Sequence, residues 1–354
     1  MKFQVNSKDM LAAVTSASDP IRRAMIPLME CVLIDAGEIL MITGTSLDEM
    51  VTAECVASIT DHGGCAVNAD DVKRFLSSVG NVTVDVTGAP GKMSLSSGRA
   101  KAELFAFPAA EFPAAMDAAA PHEVHGAASA IPLLVPFAST DPSREFINGI
   151  RIARDGAVAT DGKRLARHPA TCDVEATIHN SALRIIGNVL KANGRLFIGD
   201  TIWRAEAERV TARGKLLDLA FPDWKRLIDA DAVTLFSVDA DDMLDAVQCA
   251  TLGSARQVLL SSTEDGIDLR GEGWPASRAD ATSSVGADVT TQFAGAFDAA
   301  NLTSSLKAMA GRGIDAKFTQ AGALMLTPSG DDGLLVLAYP WRHHLDRWPV
   351  VGAL

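Results

Sequence analysis

The chain reads as an α+β protein in which one unit is repeated three times, each copy carrying two helices and antiparallel sheet. Three observations predict this. Phe-Ala-Phe-Pro at 105–108, Leu-Ala-Phe-Pro at 219–222 and Leu-Ala-Tyr-Pro at 337–340 repeat one aromatic–proline pattern at spacings of 114 and 118 residues in a chain of 354. FQVNSKDMLAAVTSAS (3–18) and FSVDADDMLDAVQCAT (236–251) align without a gap and are identical at eight of 16 positions. Each third of the chain also carries a second helical stripe followed by a hairpin pattern. Recurrence at a fixed long period marks a repeat architecture.

The first element of each copy is a short strand of alternating apolar residues running into a helix. Asp9 and Asp242 fall in the first turn of that helix, where the macrodipole favours a carboxylate. The middle copy keeps only a trace, at IPLLVPFAS (131–139). The second helix follows. Val72, Phe75, Leu76 and Val79 lie on one face after Asp70-Asp71, and Leu183, Ile186 and Leu190 repeat that stripe, as do Leu302, Leu306 and Met309. Hairpins come next. Val82, Val84 and Val86 alternate before GAPG as the turn and KMSLSS as the return strand, and RLFIGDTIWRAEA and IDAKFTQAGALMLTP take the same place in the other copies. Every copy is then expected to end in a strand running into the aromatic–proline pair. Boundaries fall in PAAMDAAAPHEVHGAA (113–128) and near 229–231, giving domains 1–120, 121–232 and 233–354, the last with an extra tail at 343–354.

Composition narrows the class. Apolar residues make up 48% and charged residues 21%, as in a globular protein with two or three domains. The five cysteines form no CxxC pair and leave an odd one, which fits a reducing compartment and a cytoplasmic location. The N-terminus has no apolar signal region and no later stretch reaches 18 uninterrupted apolar residues, so no membrane partner is expected. A net charge of −12 argues against a protein that coats nucleic acid with its whole surface and leaves room for a local basic face. Such a face is supplied by the second helices. Lys73, Arg74, Arg184, Lys191 and Lys307 flank the apolar stripes, and Arg195 and Arg312 follow the last turns. A solvated helix face explains any one of them. Recurrence in three stacked copies favours one basic surface suited to phosphate contact without base readout.

Several blocks resemble the bacterial sliding clamp, the beta subunit of DNA polymerase III. They are Thr160-Asp161-Gly162-Lys163-Arg164-Leu165-Ala166 preceded by Asn148-Gly149, GKLLDLAFPDWKRLI (214–228), MKF at the start, TGTSLDEM (43–50) and LVLAYPWR (335–342). The resemblance spans residues 1–342. It implies three copies of one clamp domain, two chains closing head to tail into a homodimeric ring, and a duplex DNA clamp without cofactor or catalysis. Implied partners are double-stranded DNA bound without sequence preference, the replicative DNA polymerase, an ATP-dependent clamp loader and other clamp-binding peptides.

Carried over residue by residue, the resemblance places a partner-peptide pocket at Ile147, Thr160, Gly162, Lys163, Arg164, Leu165, Pro222, Arg226, Leu227, Leu337, Tyr339, Pro340, Trp341 and Arg342. It places DNA contacts at Arg23 with the basic helices as companions, and the ring interface at Thr251 and Leu252 on one side and at Lys101 to Phe105 on the other. Lys163 stands where the family usually has His, and Tyr339 and Trp341 replace smaller or more flexible residues, which predicts a narrower pocket. Asn180-Ser181 occupy positions that are often basic. The tail HHLDRWPVVGAL (343–354) carries Leu345 and Asp346 in loose likeness to the peptide that clamp partners insert, and is expected either to cover the pocket, or to pack elsewhere on the third unit or be disordered.

Enzyme motifs are missing from the sequence: GxxxxGK[ST], GxSxG and HExxH. His122-x-x-His125 and His343-His344 lack further ligands at metal-site spacing, so no metal is expected. A clamp paralogue serving repair or competing for partners stays open beside the replication clamp, as does a three-domain hydrolase.

Overall fold

The computed structural model describes residues 1–228, 232–252, 256–272, 281–319, 323–330 and 333–340. The chain divides into two compact units, residues 1–128 with 172–218 and residues 129–171 with 219–354. The six α-helices of the described residues are α1 (Ser7–Ala17), α2 (Ala69–Ser78), α3 (Ala127–Leu134), α4 (Asn180–Lys191), α5 (Ala240–Ala250) and α6 (Ala299–Lys307). None is long and apolar enough to cross a membrane.

The first unit is one antiparallel sheet. Its order runs His122–Glu123, Arg195–Ile198, Ile202–Ala207, Val210–Lys215, Glu49–Cys55, Leu40–Thr45, Cys31–Ala36, Gly63–Asn68, Ala100–Pro108, Lys92–Ser97, Thr83–Ala89, Lys2–Asn6 and Ala57–Asp61. The seam between its two chain segments is Val210–Lys215 against Glu49–Cys55, with Val210 opposite Ala53 and Gly214 opposite Glu49. Helices α1 and α2 pack side by side, and α4 lies on Ile202–Lys215. Phe3, Met10, Val14, Val32, Ile34, Leu40, Ile42, Leu76 and Leu95 fill the core under α1 and α2.

The second unit holds two antiparallel arrangements. One runs Gly149–Ala153, Gly156–Thr160, Arg164–His168, Leu335–Ala338, Leu324–Pro328, Gly313–Phe318, Val233–Asp239 and Asp288–Val289. The other is a four-stranded sheet, Ala281–Gly286, Gly266–Glu272, Gln257–Ser262 and Ala294–Asp298. Helices α5 and α6 pack on each other, and α5 also meets Gly266–Glu272 and Ala281–Gly286.

All the α-helices but α3, which follows Gly126, start where a side chain can accept the orphan N–H groups of a first turn. Asn6 accepts from Lys8 and Asp9, Asn68 from Asp70 and Asp71, Asp239 from Asp241 and Asp242, Asp298 from Asn301, and His179 from Ser181. All five capping residues end a strand and sit at equivalent places in the strand–helix joint. The expected acidic first turns are present at Asp9, at Asp70-Asp71 and at Asp241-Asp242. The stripes are buried as expected at Val72, Leu76, Leu183, Ile186, Leu190, Leu302, Leu306 and Met309.

Two local expectations need correction. The strand before Leu219-Ala220-Phe221-Pro222 stops at Lys215, so this copy of the aromatic–proline pattern lies in irregular chain. Pro222 has no N–H for a ladder, and the pull on this segment comes from side chains: Phe221 and Trp224 join an apolar cluster of the second unit. The turn written as GAPG is also tighter than expected. Its strands extend to Ala89 and from Lys92, leaving Pro90 and Gly91, with Gly91 at φ 77° in the left-handed region that glycine tolerates. The tail and the boundary at 229–231 lie outside the described residues.

Candidate peptide cleft and basic surfaces

The cleft grows from the turn at 160–164. Thr160 donates its Oγ1–H to the Arg164 carbonyl at 2.7 Å and accepts the Gly162 N–H at 3.1 Å. The Asp161 carboxylate accepts the N–H of Lys163 at 2.8 Å and of Arg164 at 3.0 Å, and pairs with Arg164 Nε at 3.0 Å. Gly162 has φ 82°, in the left-handed region that glycine tolerates, so the backbone favours glycine here. The Arg164 guanidinium then donates to the Pro136 carbonyl at 2.6 Å and to the Ser304 hydroxyl, and lies 5.0 Å from the centre of the Phe137 ring.

From this turn the chain enters the sheet. Arg164 stands opposite Ala338 and Leu165 opposite Leu337, and Tyr339 donates its N–H to the Lys163 carbonyl at 3.0 Å. Leu165 and Leu337 are buried with Val158, Trp224, Met325 and Leu335, and half-buried Phe221, Leu227, Ile228 and Tyr339 pack on them. The structure thus gathers Leu165, Leu227, Leu337 and Tyr339 from the predicted set into one apolar patch, with Thr160, Gly162, Lys163 and Arg164 in the adjoining turn. Lys163 is exposed, Pro222 is exposed, Pro340 is half-buried, and exposed Arg226 pairs with Asp223 at 3.0 Å. Ile147 is buried at the end of the short helical turn Pro142–Ile147 and is not a member of the patch. Trp341 and Arg342 lie outside the described residues.

Sequence reasoning passed over Phe221 and Trp224 as site residues, although both stand in the quoted block. A Trp between Asp223 and Lys225 is the available signal: the two charged neighbours are exposed and the Trp is buried. Lys225 also reaches Asp155 at 2.6 Å, which Arg151 holds from the other side at 2.7 Å. Burial pushes the Asp155 carboxyl up, but hydrogen bonds and charge from Arg151 and Lys225 outweigh it and hold the group at about 2. A separate cavity of about 580 Å³ lies on the four-stranded sheet between Leu259, Asp268, Arg270 and Thr282, away from this cleft.

The predicted DNA contacts are placed differently from one another. Arg23 and Lys73 line one cavity of about 310 Å³ with Arg22, Glu30 and Asp70, so the structure brings these two together. Lys73 pairs with Asp70 at 2.8 Å and Arg74 with Asp71 at 3.5 Å, both across one helical turn. Arg184 is exposed on α4 but donates to the Asp19 carboxylate at 2.6 Å and the Asp19 carbonyl at 2.7 Å, and Asn188 donates to the same carboxylate at 2.8 Å. Arg195 starts a strand, where Glu206 at 3.1 Å and Glu123 at 4.0 Å face it. Lys191 and Lys307 are exposed in the last turns of α4 and α6, and Arg312 is half-buried beyond α6. Among the described residues no group of three or more His, Cys, Asp or Glu could hold a metal ion.

The predicted interface residues stand at exposed sheet and helix ends. Residues 100–105 pair with Lys92–Ser97, whereas Ala106–Pro108 pair with Cys65–Val67. Among the described residues the outer edge of 100–105 therefore has no strand neighbour. Lys101 is exposed on it, and Phe105 is 68% exposed with its ring edge-on to Phe107. In the second unit, Thr251 caps the end of α5, Leu252 beside it is 68% exposed, and among the described residues Ala281–Gly286 is an edge strand.

Comparison with known proteins agrees with the fold. Residues 1–117 match the family model of the DNA polymerase III beta subunit, N-terminal domain. The chain is 26% identical over 294 residues to the beta sliding clamp of Haemophilus influenzae, covering 76% of this chain and 80% of that one. It is 26% identical over 289 residues to the beta sliding clamp of Caulobacter vibrioides, covering 73% and 76%. In structure it is similar to the DNA polymerase sliding clamp of Caulobacter crescentus, with a TM-score of 0.87 and 22% identity over 97% of this chain and 100% of that one. A Pseudomonas aeruginosa sliding clamp bound to griselimycin gives a TM-score of 0.88 at 19% identity, over 97% and 99%. The expected α+β clamp fold is borne out.

Proposed function

We propose that this chain, a member of the beta sliding clamp family, encircles duplex DNA as a homodimeric ring and tethers the replicative polymerase and other DNA-processing proteins to it. It is a non-catalytic processivity subunit. In this reading residues 1–120, 121–232 and 233–354 are three clamp domains, and the protein works in the cytoplasm.

The observation that carries the reading is that, among the described residues, two of the open sheet edges lie in parts of this fold that also expose apolar side chains. Strand 100–105 carries exposed Phe105, and Ala281–Gly286 is an edge in the unit that carries exposed Leu252. An uncovered edge with an apolar side chain invites pairing, and head-to-tail contact between two chains closes a ring and removes both edges. A ring cannot leave DNA sideways, so its inner cations need only weak, sequence-independent phosphate contacts. Arg23, Lys73, Arg74, Lys191, Lys307 and Arg312, with Arg184 and Arg195 more tightly held by acids, serve that surface.

A partner presents a short peptide whose apolar anchors sit on half-buried Leu227 and Tyr339, which pack over buried Leu165 and Leu337. The bound polymerase then stays at high local concentration near the primer end. No nucleotide-binding loop occurs in the sequence, so a separate ATP-driven loader opens the ring. Sedimentation tests the assembly: a species near twice 37 kDa is expected, and a monomer alone at micromolar concentration contradicts it. Primer extension with loader and polymerase tests the role, with long products expected only when the clamp is added.

A further inference from the structure

The chain leaves the second unit at the cleft itself. Leu337 is buried opposite Leu165, Tyr339 donates its N–H to the Lys163 carbonyl at 3.0 Å, and Tyr339 packs on the apolar cluster around Trp224. Half-buried Pro340 is the last described residue. The sequence carries fourteen more beyond it, 341–354. They start beside the side chains that a partner peptide would use.

Their composition suits docking. Trp341, Leu345, Trp348, Val350, Val351 and Leu354 are large and apolar, and Asp346 is the one acid among the fourteen. A segment built to stay in water is poor in such side chains. A matching surface lies next to the root. Phe221, Leu227 and Ile228 are half-buried around the cluster, and Leu219 is 43% exposed. Exposed Lys163 stands in the turn that Tyr339 bonds, and among the described residues it pairs with no carboxylate. Asp346 is the acid within the tail's reach that matches it.

The tether is long enough and short enough. Five steps lead from Pro340 to Leu345, which allow any separation up to about 17 Å. Tyr339 and Leu227 pack on one cluster, so the distance to be covered is small. A short tether holds its end at an effective concentration on the order of 1 mM, so even a weak contact is populated.

We propose that residues 343–354 occupy the cleft of their own chain, with Leu345 and Trp348 as apolar anchors and Asp346 facing Lys163, and that a partner peptide binds by displacing them. The proposal rests on the reading of this cleft as a partner-peptide site. The apparent affinity of every partner then falls with the fraction of open clefts, so weak partners are excluded and strong ones are kept.

The test compares the full chain with a chain ended after Arg342. Two probes are used, a fluorescent polymerase-derived peptide and a synthetic tail peptide of residues 343–354. The tail peptide is expected to bind the shortened chain with a Kd of about 0.1 mM and to displace the polymerase peptide from it. At a local concentration near ~1 mM that affinity closes most clefts, so shortening should tighten the polymerase peptide about tenfold. Leu345→Ser with Trp348→Ser in the full chain should give the same gain, and Leu227→Ala in the shortened chain should weaken the tail peptide. Equal affinity of the polymerase peptide for full and shortened chains overturns the self-blocking contact and leaves the cleft reading standing. Binding of the tail peptide, with no binding of the polymerase peptide to either chain, sinks the partner reading and leaves the tail in the cleft. Silence of both probes on the shortened chain removes both. A gain on shortening that the serine variant fails to reproduce overturns these anchors. A gain that vanishes as the protein is diluted assigns the tail to a second copy and overturns the contact within one chain.

Discussion

Arg164 and Arg23 both belong to surfaces expected to meet partners, yet they are held in opposite ways. The Arg164 side chain is 13% exposed, and its donors are engaged by Asp161, Pro136 and Ser304 over the Phe137 ring. Arg23 is exposed on a loop with no carboxylate partner among the described residues. The first arginine builds the turn that shapes the cleft, and the second is free for a ligand. Arg184 lies between these extremes, exposed yet held by Asp19. Presence in a family pattern therefore does not reveal what a residue does; its partners do.

The widest gap between the two settings is expected in stability. Arg164→Ala leaves Asp161 half-buried without its cation and should destabilise the second unit by about 3 kcal/mol, whereas Arg23→Ala should stay within about 0.5 kcal/mol. Chemical denaturation of both variants measures this, and equal losses would erase the distinction. A lysine at 164 should rescue little, because it cannot serve several fixed acceptors at once.

The cleft should respond in affinity before it responds in stability at its half-buried rim. Leu227→Ala is expected to weaken binding of a polymerase-derived peptide about tenfold, by removing an anchor contact. Calorimetry checks this, and unchanged affinity would remove Leu227 from the site.

Asp19→Asn tests the intermediate case. Freeing Arg184 should raise affinity for duplex DNA about threefold at low salt and steepen the salt slope by about 1. An unchanged slope would mean that Arg184 does not face DNA.

Much of this was legible in the sequence because it depends on periodic burial. The stripes Val72–Leu76, Leu183–Leu190 and Leu302–Leu306 repeat at helical spacing, and the 3–18 and 236–251 segments share enough core positions to betray one fold. The strand–helix joints were legible in kind, though the caps Asn6, Asn68, Asp239 and Asp298 were not singled out. What stayed hidden depends on contacts far apart in the chain. Nothing near Arg164 in sequence announces Ser304, and nothing near Arg184 announces Asp19. The end of a strand at Lys215 instead of at Phe221 was hidden for the same reason, since the attraction of Phe221 and Trp224 to a distant cluster outweighs strand propensity.

Two smaller effects separate a paired, half-buried charge from buried thiols. Asp155 titrates at about 2 when folded against an ordinary value of 3.8, so its stabilising contribution is present above that ordinary value and is lost as pH falls through about 2. Wild-type protein should therefore lose more stability than Asp155→Asn as pH falls through that window, and parallel curves would contradict the Arg151–Asp155–Lys225 assignment. Burial pushes the Cys31, Cys55 and Cys65 thiols up to about 11. Alkylation of the folded protein at neutral pH should label exposed Cys249 first and leave these three largely unmodified, as peptide mapping would show.

The most direct measurement of the central claim is retention of the loaded protein on circular and linear DNA of one sequence, washed at rising salt. A ring predicts that protein stays on the circle at salt that disrupts phosphate contacts and is lost from the linear form through its ends. Equal salt-dependent loss from both templates would show ordinary electrostatic binding and contradict the account.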